Sequence, residues 1–336
     1  MEVIHGSFHV DVPIDDASRV GEARRHAAQL AHECGLDETE AGRLAIVVTE
    51  LGTNLLRHAQ GGRLLLSARA ARMEAEVVSI DAGPGIADID RSLGDGYSTG
   101  GTPGTGLGAV RRLASDFDLH SSVPGGTVIV ARVRAARAPH DGAAVSIGAV
   151  SLAARGERVC GDGWSFAVDG AFTSMMVADG LGHGPDAAEA AQVALATFAD
   201  APDASPRTQL ERAHEALKRT RGAAVMVLHA DGKAGTVRSA GAGNVMARLV
   251  SGTADRTILC QHGTAGVTIR TPDETNTAWP PHAMLVVFSD GIESRWQAGL
   301  LAPVLGRDPT LAAALVVRDH CRGRDDATVA VLRRKD

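Results

Sequence analysis

Four segments of the 336-residue chain carry carboxylates in a setting that suits chemistry: Asp162-Gly163, Val177-Ala178-Asp179-Gly180-Leu181-Gly182-His183-Gly184, Phe288-Ser289-Asp290-Gly291 and Arg324-Asp325-Asp326-Ala327-Thr328. In three of them the Asp stands where an apolar run meets a glycine turn, as at a strand end. A single Asp-Gly pair is only a turn signal. Four such segments can converge in space, where their carboxylates repel one another and a divalent cation relieves the repulsion. All-oxygen ligation selects a hard ion, Mg²⁺ or Mn²⁺, over zinc. Two such ions together activate water and clamp a phosphate for in-line displacement. The second half of the chain therefore reads as a metal-dependent phosphatase.

The first half offers a different set. Glu50, Asn54 and His58 recur at four-residue spacing and share one face of a predicted helix. Asp81-Ala82-Gly83-Pro84-Gly85 places a carboxylate at a strand end before a glycine turn. The run Gly100-Gly101-Thr102-Pro103-Gly104-Thr105-Gly106-Leu107-Gly108 precedes a further helical pattern. Glycines there let backbone N–H groups approach phosphates, and a helix N-terminus favours their charge. Each feature alone is weak; their order is what suggests a nucleotide site.

These residues need scaffolds. Helical periodicity is expected over 17–33, with Asp15 or Asp16 as N-cap, and over 38–58, with Leu44, Val47, Val48, Leu51 and Leu55 on the apolar face. Strands follow at 63–70 and 74–80, then a helix near 106–117 and two more strands. Residues 134–142 break the pattern with Pro and Gly and read as a linker. Beyond it strands dominate, at 145–153, 165–168, 173–178, 223–229, 236–239, 245–249 and 284–288. Helices are expected at 185–198, 206–219 and 309–321. The expected domains are therefore 1–135 and 145–336, joined by 136–144. The fold class is a two-domain α/β protein: an α/β sandwich first, then a β-sandwich flanked by helices.

Composition narrows the function classes. The chain is 44% hydrophobic and 22% charged, with formal net charge −6 and only 3% aromatic residues. An acidic balance without stacking aromatics argues against nucleic acid as a partner. No apolar run approaches a membrane span. The first residues show no leader pattern, and the four separated cysteines form no C-x-x-C pair. A cytoplasmic protein with reduced thiols is expected.

Both halves resemble known families. Residues 145–333 resemble the PP2C-like phosphatases of the SpoIIE/RsbX type, through Val-Ala-Asp-Gly-Leu-Gly-His-Gly, Ser-Asp-Gly-Ile-Glu and Asp-Asp-Ala-Thr-Val. The resemblance implies that Asp179 bridges two Mg²⁺ or Mn²⁺ ions and that the Gly180 carbonyl ligates one. It further implies Asp290 and Asp325 at the other ion, with Asp162 at or near the first. Spacing leaves Asp326 open in place of Asp325. Arg155 and Arg158 lie near where a phosphate-gripping Arg would be wanted, with a solvated surface role equally open.

Residues 3–134 resemble the GHKL (Bergerat) ATP-binding fold, and in particular the switch-protein serine kinases of the RsbT and RsbW type. The run Asp95-Gly96-Tyr97-Ser98-Thr99-Gly100-Gly101 through Arg111-Arg112-Leu113 looks most like RsbT. By position, Asn54 would ligate the Mg²⁺ bridging the ATP phosphates and Asp81 would accept from the adenine amino group. Gly83 and Gly85 would shape the adenine pocket, and Gly104, Gly106 and Gly108 would line the phosphate loop. Glu50 would be the general base toward a substrate serine hydroxyl. His58 has no implied duty beyond packing at the helix end. A histidine-kinase reading is weaker, because no helical segment with a phosphoacceptor His precedes the domain.

Together the resemblances imply a bifunctional serine kinase and serine/threonine phosphatase acting on a STAS-domain partner in a partner-switching or stressosome-like module. Two alternatives stay open: a phosphatase whose ATP domain only senses nucleotide, and a binding protein that holds a regulatory partner such as a sigma factor.

Overall fold

The computed structural model describes residues 2–59, 61–94, 106–138 and 144–335. The chain divides into two compact units, His9–His140 and Met1–Phe8 together with Asp141–Asp336. The first strand, β1 (Glu2–His5), thus belongs to the second unit although it opens the chain. The sequence reading gives residues 1–8 to the first domain. Four residues are too few to show a period, and only their pairing partner reveals where they belong.

The unit His9–His140 runs β2 (Val10–Pro13), α1 (Ala17–Glu33), α2 (Glu38–His58), β3 (Arg63–Arg69), β4 (Glu74–Ile80), α3 (Ile89–Leu93), α4 (Gly106–Leu113), β5 (Asp116–Ser122) and β6 (Gly126–Arg134). Its strands form one antiparallel sheet in the order β2-β3-β4-β6-β5. Asp16 caps α1 by accepting from the Ser18 N–H at 2.6 Å, which decides between the two expected caps. A reciprocal capping box between Asp37 and Glu40 starts α2. From α2, Leu44, Val47, Val48, Leu51 and Leu55 enter the core against Ala23, Ala27 and Leu30 of α1 and Leu64, Leu66, Val77 and Ile129 of the sheet. That burial fixes the rotation of α2 and so fixes where its Glu50–Asn54–His58 face points.

The helix expected to reach Phe117 ends at Leu113. The Ser115 N–H instead donates to Arg132 O at 2.7 Å, and Phe117 pairs opposite Ala131 in β5. Alternation in Asp116-Phe117-Asp118-Leu119 is a strand pattern that the preceding helical run obscures.

The second unit continues with β7 (Val145–Leu152), β8 (Asp162–Asp169), β9 (Phe172–Gly180), α5 (Pro185–Asp200), α6 (Pro206–Leu217), β10 (Ala223–Asp231), β11 (Thr236–Ala242) and β12 (Met246–Val250). Then come β13 (Asp255–Leu259), β14 (Gly263–Thr264), β15 (Thr268–Ile269), β16 (Thr275–Ala278), β17 (Met284–Phe288), α7 (Pro309–His320) and β18 (Ala327–Arg334). Two sheets, β1-β8-β9-β10-β11-β16 and β13-β12-β17-β18-β7, stack face to face. Between them lie Trp164, Phe166, Met175, Val177, Met226, Leu285, Val287 and Leu332. On the outer face of the six-stranded sheet, Met176, Ala178, Val225 and Val227 pack against Ala190, Ala194 and Phe198 of α5 and Leu210 and Leu217 of α6. Strands β7 and β18 carry α7. The small strands β13 to β16 were not expected, since 255–278 has no sustained period. None of the described helices is long and apolar enough to cross a membrane.

Candidate functional site

The second unit brings its acidic segments together through strand pairing. β8 and β9 run antiparallel with Asp162 and Asp179 as direct partners, and the Gly180 N–H donates to Gly161 O at 3.0 Å. Asp290 follows the end of β17, and Asp325 precedes the start of β18. These two strands are ladder neighbours with Phe288 opposite Val329, so both residues emerge at the same edge of their sheet. The Ser289 N–H donates to Thr328 O at 3.0 Å and closes that edge.

The electrostatics follow from the geometry. Burial raises the Asp179 carboxyl above its ordinary range, and the charges of Asp162, Asp290 and Asp325 raise it further. Asp162 is also raised by burial, against hydrogen bonds from Ser289 and Thr328 that favour its charge. Asp290 is raised by burial and by Asp325, while Arg322 opposes the shift. Asp162 Oδ1 and Asp179 Oδ2 are buried and accept no hydrogen bond. A buried acceptor without a donor costs about 1–3 kcal/mol, and a cation is the partner that would satisfy several at once. The all-oxygen donor set fits a hard divalent ion. Among the described residues, no three His, Cys, Asp or Glu side chains form a ready-made ion site.

The two adjacent candidates 325 and 326 differ in position. Asp326 is buried, and its Oδ1 accepts from the Ala154 N–H at 2.8 Å, tying the end of β7 to the start of β18. Asp325 is half-buried, and its charge acts on Asp179 and Asp290. Asp326 Oδ2 is also buried without a hydrogen-bond partner, so both carboxylates face the cluster, Asp325 through its charge on Asp179 and Asp290 and Asp326 through that oxygen.

Sequence reasoning missed the supports behind these carboxylates. The Ser289 hydroxyl donates to Asp162 Oδ2 at 2.6 Å and accepts from the Thr328 N–H at 2.9 Å. Ser151 and Thr328 hydroxyls meet at 2.7 Å behind them. His183 Nδ1 meets Glu157 Oε1 at 2.7 Å, holding the glycine turn after β9 to the loop after β7. Only Ser289 before Asp290 and Thr328 after Asp326 hinted at the first network. Arg155 and Arg158 are exposed on that loop.

In the other unit a cavity of about 430 Å³ is lined by Glu50, Thr53, Asn54 and His58 of α2, by Asp81, Gly85 and Ile86 after β4, by Arg91 of α3, and by Gly106 and Leu107 of α4. Three separated sequence features thus line one cavity. Asp81 Oδ1 accepts from the Gly83 N–H at 2.8 Å and the Thr127 N–H at 3.2 Å, which sets the carboxylate's orientation. Gly85 lies at φ +77°, and a Cβ there would stand 2.1 Å from Ser122 O, so only glycine allows this turn. Gly83 and Gly85 are half-buried, and Gly108 is buried within α4. Gly104 and the segment resembling RsbT from Asp95 to Gly101 lie outside the described residues. His58 is exposed on the cavity rim, not packed. All four cysteines are free.

An α/β sandwich with a nucleotide-sized cavity beside its helices, and a two-sheet sandwich with carboxylates at its strand ends, define a GHKL-type ATPase unit and a PP2C-like unit. Residues 13–133 match the family of the histidine kinase-like ATPase domain, and residues 169–335 match Stage II sporulation protein E (SpoIIE). The serine/threonine-protein kinase RsbT of Bacillus subtilis (strain 168) is 34% identical over 111 residues, which span 32% of this chain and 84% of RsbT. The chain belongs to the RsbT family through its first unit and carries a SpoIIE domain in its second.

Solved structures agree on the second fold. A chain described under "The bacterial stressosome: a modular system that has been adapted to control secondary messenger signaling" matches with TM-score 0.53 and 27% identity, covering 56% of this chain and 99% of its own length. RsbX in complex with magnesium matches with TM-score 0.52 and 19% identity, covering 57% of this chain and 96% of RsbX.

Proposed function

We propose that this protein is a bifunctional switch-protein kinase and phosphatase that sets serine or threonine phosphorylation on a STAS-domain antagonist in a partner-switching or stressosome-like module. The observation that carries the reading is the single cavity that Glu50, Asn54 and Asp81 line together. Asp81 would accept from the adenine amino group, and the Asn54 amide oxygen would hold the Mg²⁺ that accompanies ATP. Glu50, one helical turn from Asn54, would accept the proton of the attacking hydroxyl.

In the second unit, Asp162, Asp179, the Gly180 carbonyl, Asp290 and Asp325 would hold Mg²⁺ or Mn²⁺. Metal held by these residues would supply polarisation of water and neutralisation of the phosphate ester's charge. The orphaned oxygens of Asp162 and Asp179 support that assignment. The likeness to RsbT supports the kinase half, and the structure described with the bacterial stressosome supports the setting.

The test is a two-step labelling experiment. An Asp179→Asn protein, given radiolabelled ATP and a STAS-domain protein encoded beside it, is expected to label the partner. Wild-type protein with Mn²⁺ is then expected to remove the label. No transfer by any such pair defeats the kinase half; label that survives wild-type protein and Mn²⁺ defeats the phosphatase half.

A further inference from the structure

Beside the carboxylate cluster stands a residue from outside the acidic segments. Asn244 sits in the turn between β11 and β12, and its Nδ2 donates to Asp290 Oδ2 at 2.5 Å. An ionised carboxylate only accepts hydrogen bonds, so it is the NH₂ group of the amide that must face it.

The turn is built to reach that point. Gly243 lies at φ +109°, and a Cβ there would stand 2.3 Å from the Ala224 Cβ. Only glycine lets the turn press onto β10 at Ala224, which is the ladder partner of Asp179. From the other side the Gly243 N–H donates to Gln261 O at 3.0 Å, and the Gln261 N–H donates to Gly241 O at 3.0 Å. Val245, the residue that follows Asn244, is fully buried. Asn244 itself is exposed, so packing does not call for an amide at this position.

We propose that Asn244 is a positioning residue for the metal centre, holding Asp290 by Oδ2 so that Oδ1 is left to ligate. The inference rests on the reading of Asp290 as a ligand and adds what orients it. Asp290 stands just beyond the end of β17, where the ladder no longer fixes its side chain. A donor clamped by the Gly243 turn selects one rotamer and limits the carboxylate to one ligating oxygen. Hydrogen-bond partners of ligating side chains typically change metal affinity by about 10–100-fold when removed.

The experiment titrates Mn²⁺ into the full chain by calorimetry and follows hydrolysis of p-nitrophenyl phosphate, for wild type, Asn244→Leu and Asn244→Gln. Leu keeps the branched shape and removes the donor; Gln keeps the donor on a longer arm. The Leu variant is expected to bind one Mn²⁺ about 10–100-fold more weakly, with the other ion little changed. Its kcat should recover at saturating Mn²⁺, and the Gln variant should regain a large part of the lost affinity. Wild-type affinity for both ions in Asn244→Leu overturns the inference while leaving the metal reading intact. Wild-type protein that binds no Mn²⁺ overturns both. If Asn244→Leu loses its cooperative melting, Asn244→Gln and Asn244→Ala decide: equal affinities in those two, both folded, overturn the role of the donor.

Discussion

Asp162 and Asp179 are direct partners across the β8–β9 ladder, two carboxylates on one face of one strand pair. Like charges placed directly opposite each other destabilise a sheet by roughly 0.2–1 kcal/mol, on the scale of cross-strand pairs. Here burial and the further charges of Asp290 and Asp325 add to that repulsion. A sheet that keeps such a pair does so at a cost in stability, which a bound cation would offset.

Asp179→Asn should therefore change stability and activity in opposite directions. Without metal, the variant is expected to melt higher in its second unit, by roughly 2–4 °C per kcal/mol of relieved repulsion. With Mn²⁺ it should show neither the wild type's rise in melting temperature nor its phosphatase activity. Differential scanning calorimetry with and without Mn²⁺ reads both. A variant less stable than wild type in chelator would refute the repulsion argument.

The same group sets a pH dependence. Burial and the neighbouring carboxylates raise Asp179 from an ordinary value of 3.8, so the folded state holds its proton more tightly than the unfolded chain. The contribution to stability is complete below about pH 4 and is lost as pH rises toward the raised value. In the first unit Glu76 works in the opposite sense: Arg132 and Arg69 hold its carboxyl low despite burial, and its contribution is lost as pH falls. The measurement must therefore be a difference. In chelator, the melting advantage of Asp179→Asn over wild type is expected to grow from about pH 4 toward neutrality. A constant difference would show that Asp179 does not titrate as its surroundings require.

What was legible in the sequence is what is local in it. Glu50 and Asn54 lie one helical turn apart on α2, and that spacing alone puts them on a common face. Asp179-Gly180 and Asp290-Gly291 show their strand ends because apolar runs stop there. Non-local decisions were not visible. The Ala154 N–H on Asp326 Oδ1 and the Asp326 N–H on Asp325 Oδ1 are what distinguish the two adjacent carboxylates. Asn244 reaches Asp290 across 46 positions of sequence, from a turn with no charge and no motif to mark it. β1 is a strand of the second unit because its partner β8 stands about 160 residues later, as His5 and Ser165 do.

In the first unit, Asp81 is held by two backbone donors, Gly83 N–H and Thr127 N–H, both on Oδ1. Asp81→Asn keeps the shape but replaces an ionised acceptor with an amide. Hydrogen bonds to charged groups are worth about 1.5–3 kcal/mol, so the variant should bind Mg-ATP roughly 10–100-fold more weakly. Calorimetry on the full chain measures this. An unchanged affinity would place the adenine elsewhere in the cavity.

Glu50 and Asn54 line the same cavity one helical turn apart, which lets binding be separated from transfer. Glu50→Gln conserves shape and removes the ability to accept a hydroxyl proton, while Asn54 and Asp81 stay in place. The variant should therefore bind ATP as wild type does and transfer phosphate to a STAS serine about 10²-fold more slowly. Because the second unit would remove the product, the comparison belongs in an Asp179→Asn background. Equal transfer rates in the two proteins would keep the kinase and take Glu50 out of its mechanism. Binding of ATP without transfer to any STAS partner, in Asp179→Asn itself, would leave the first unit a nucleotide sensor attached to a phosphatase.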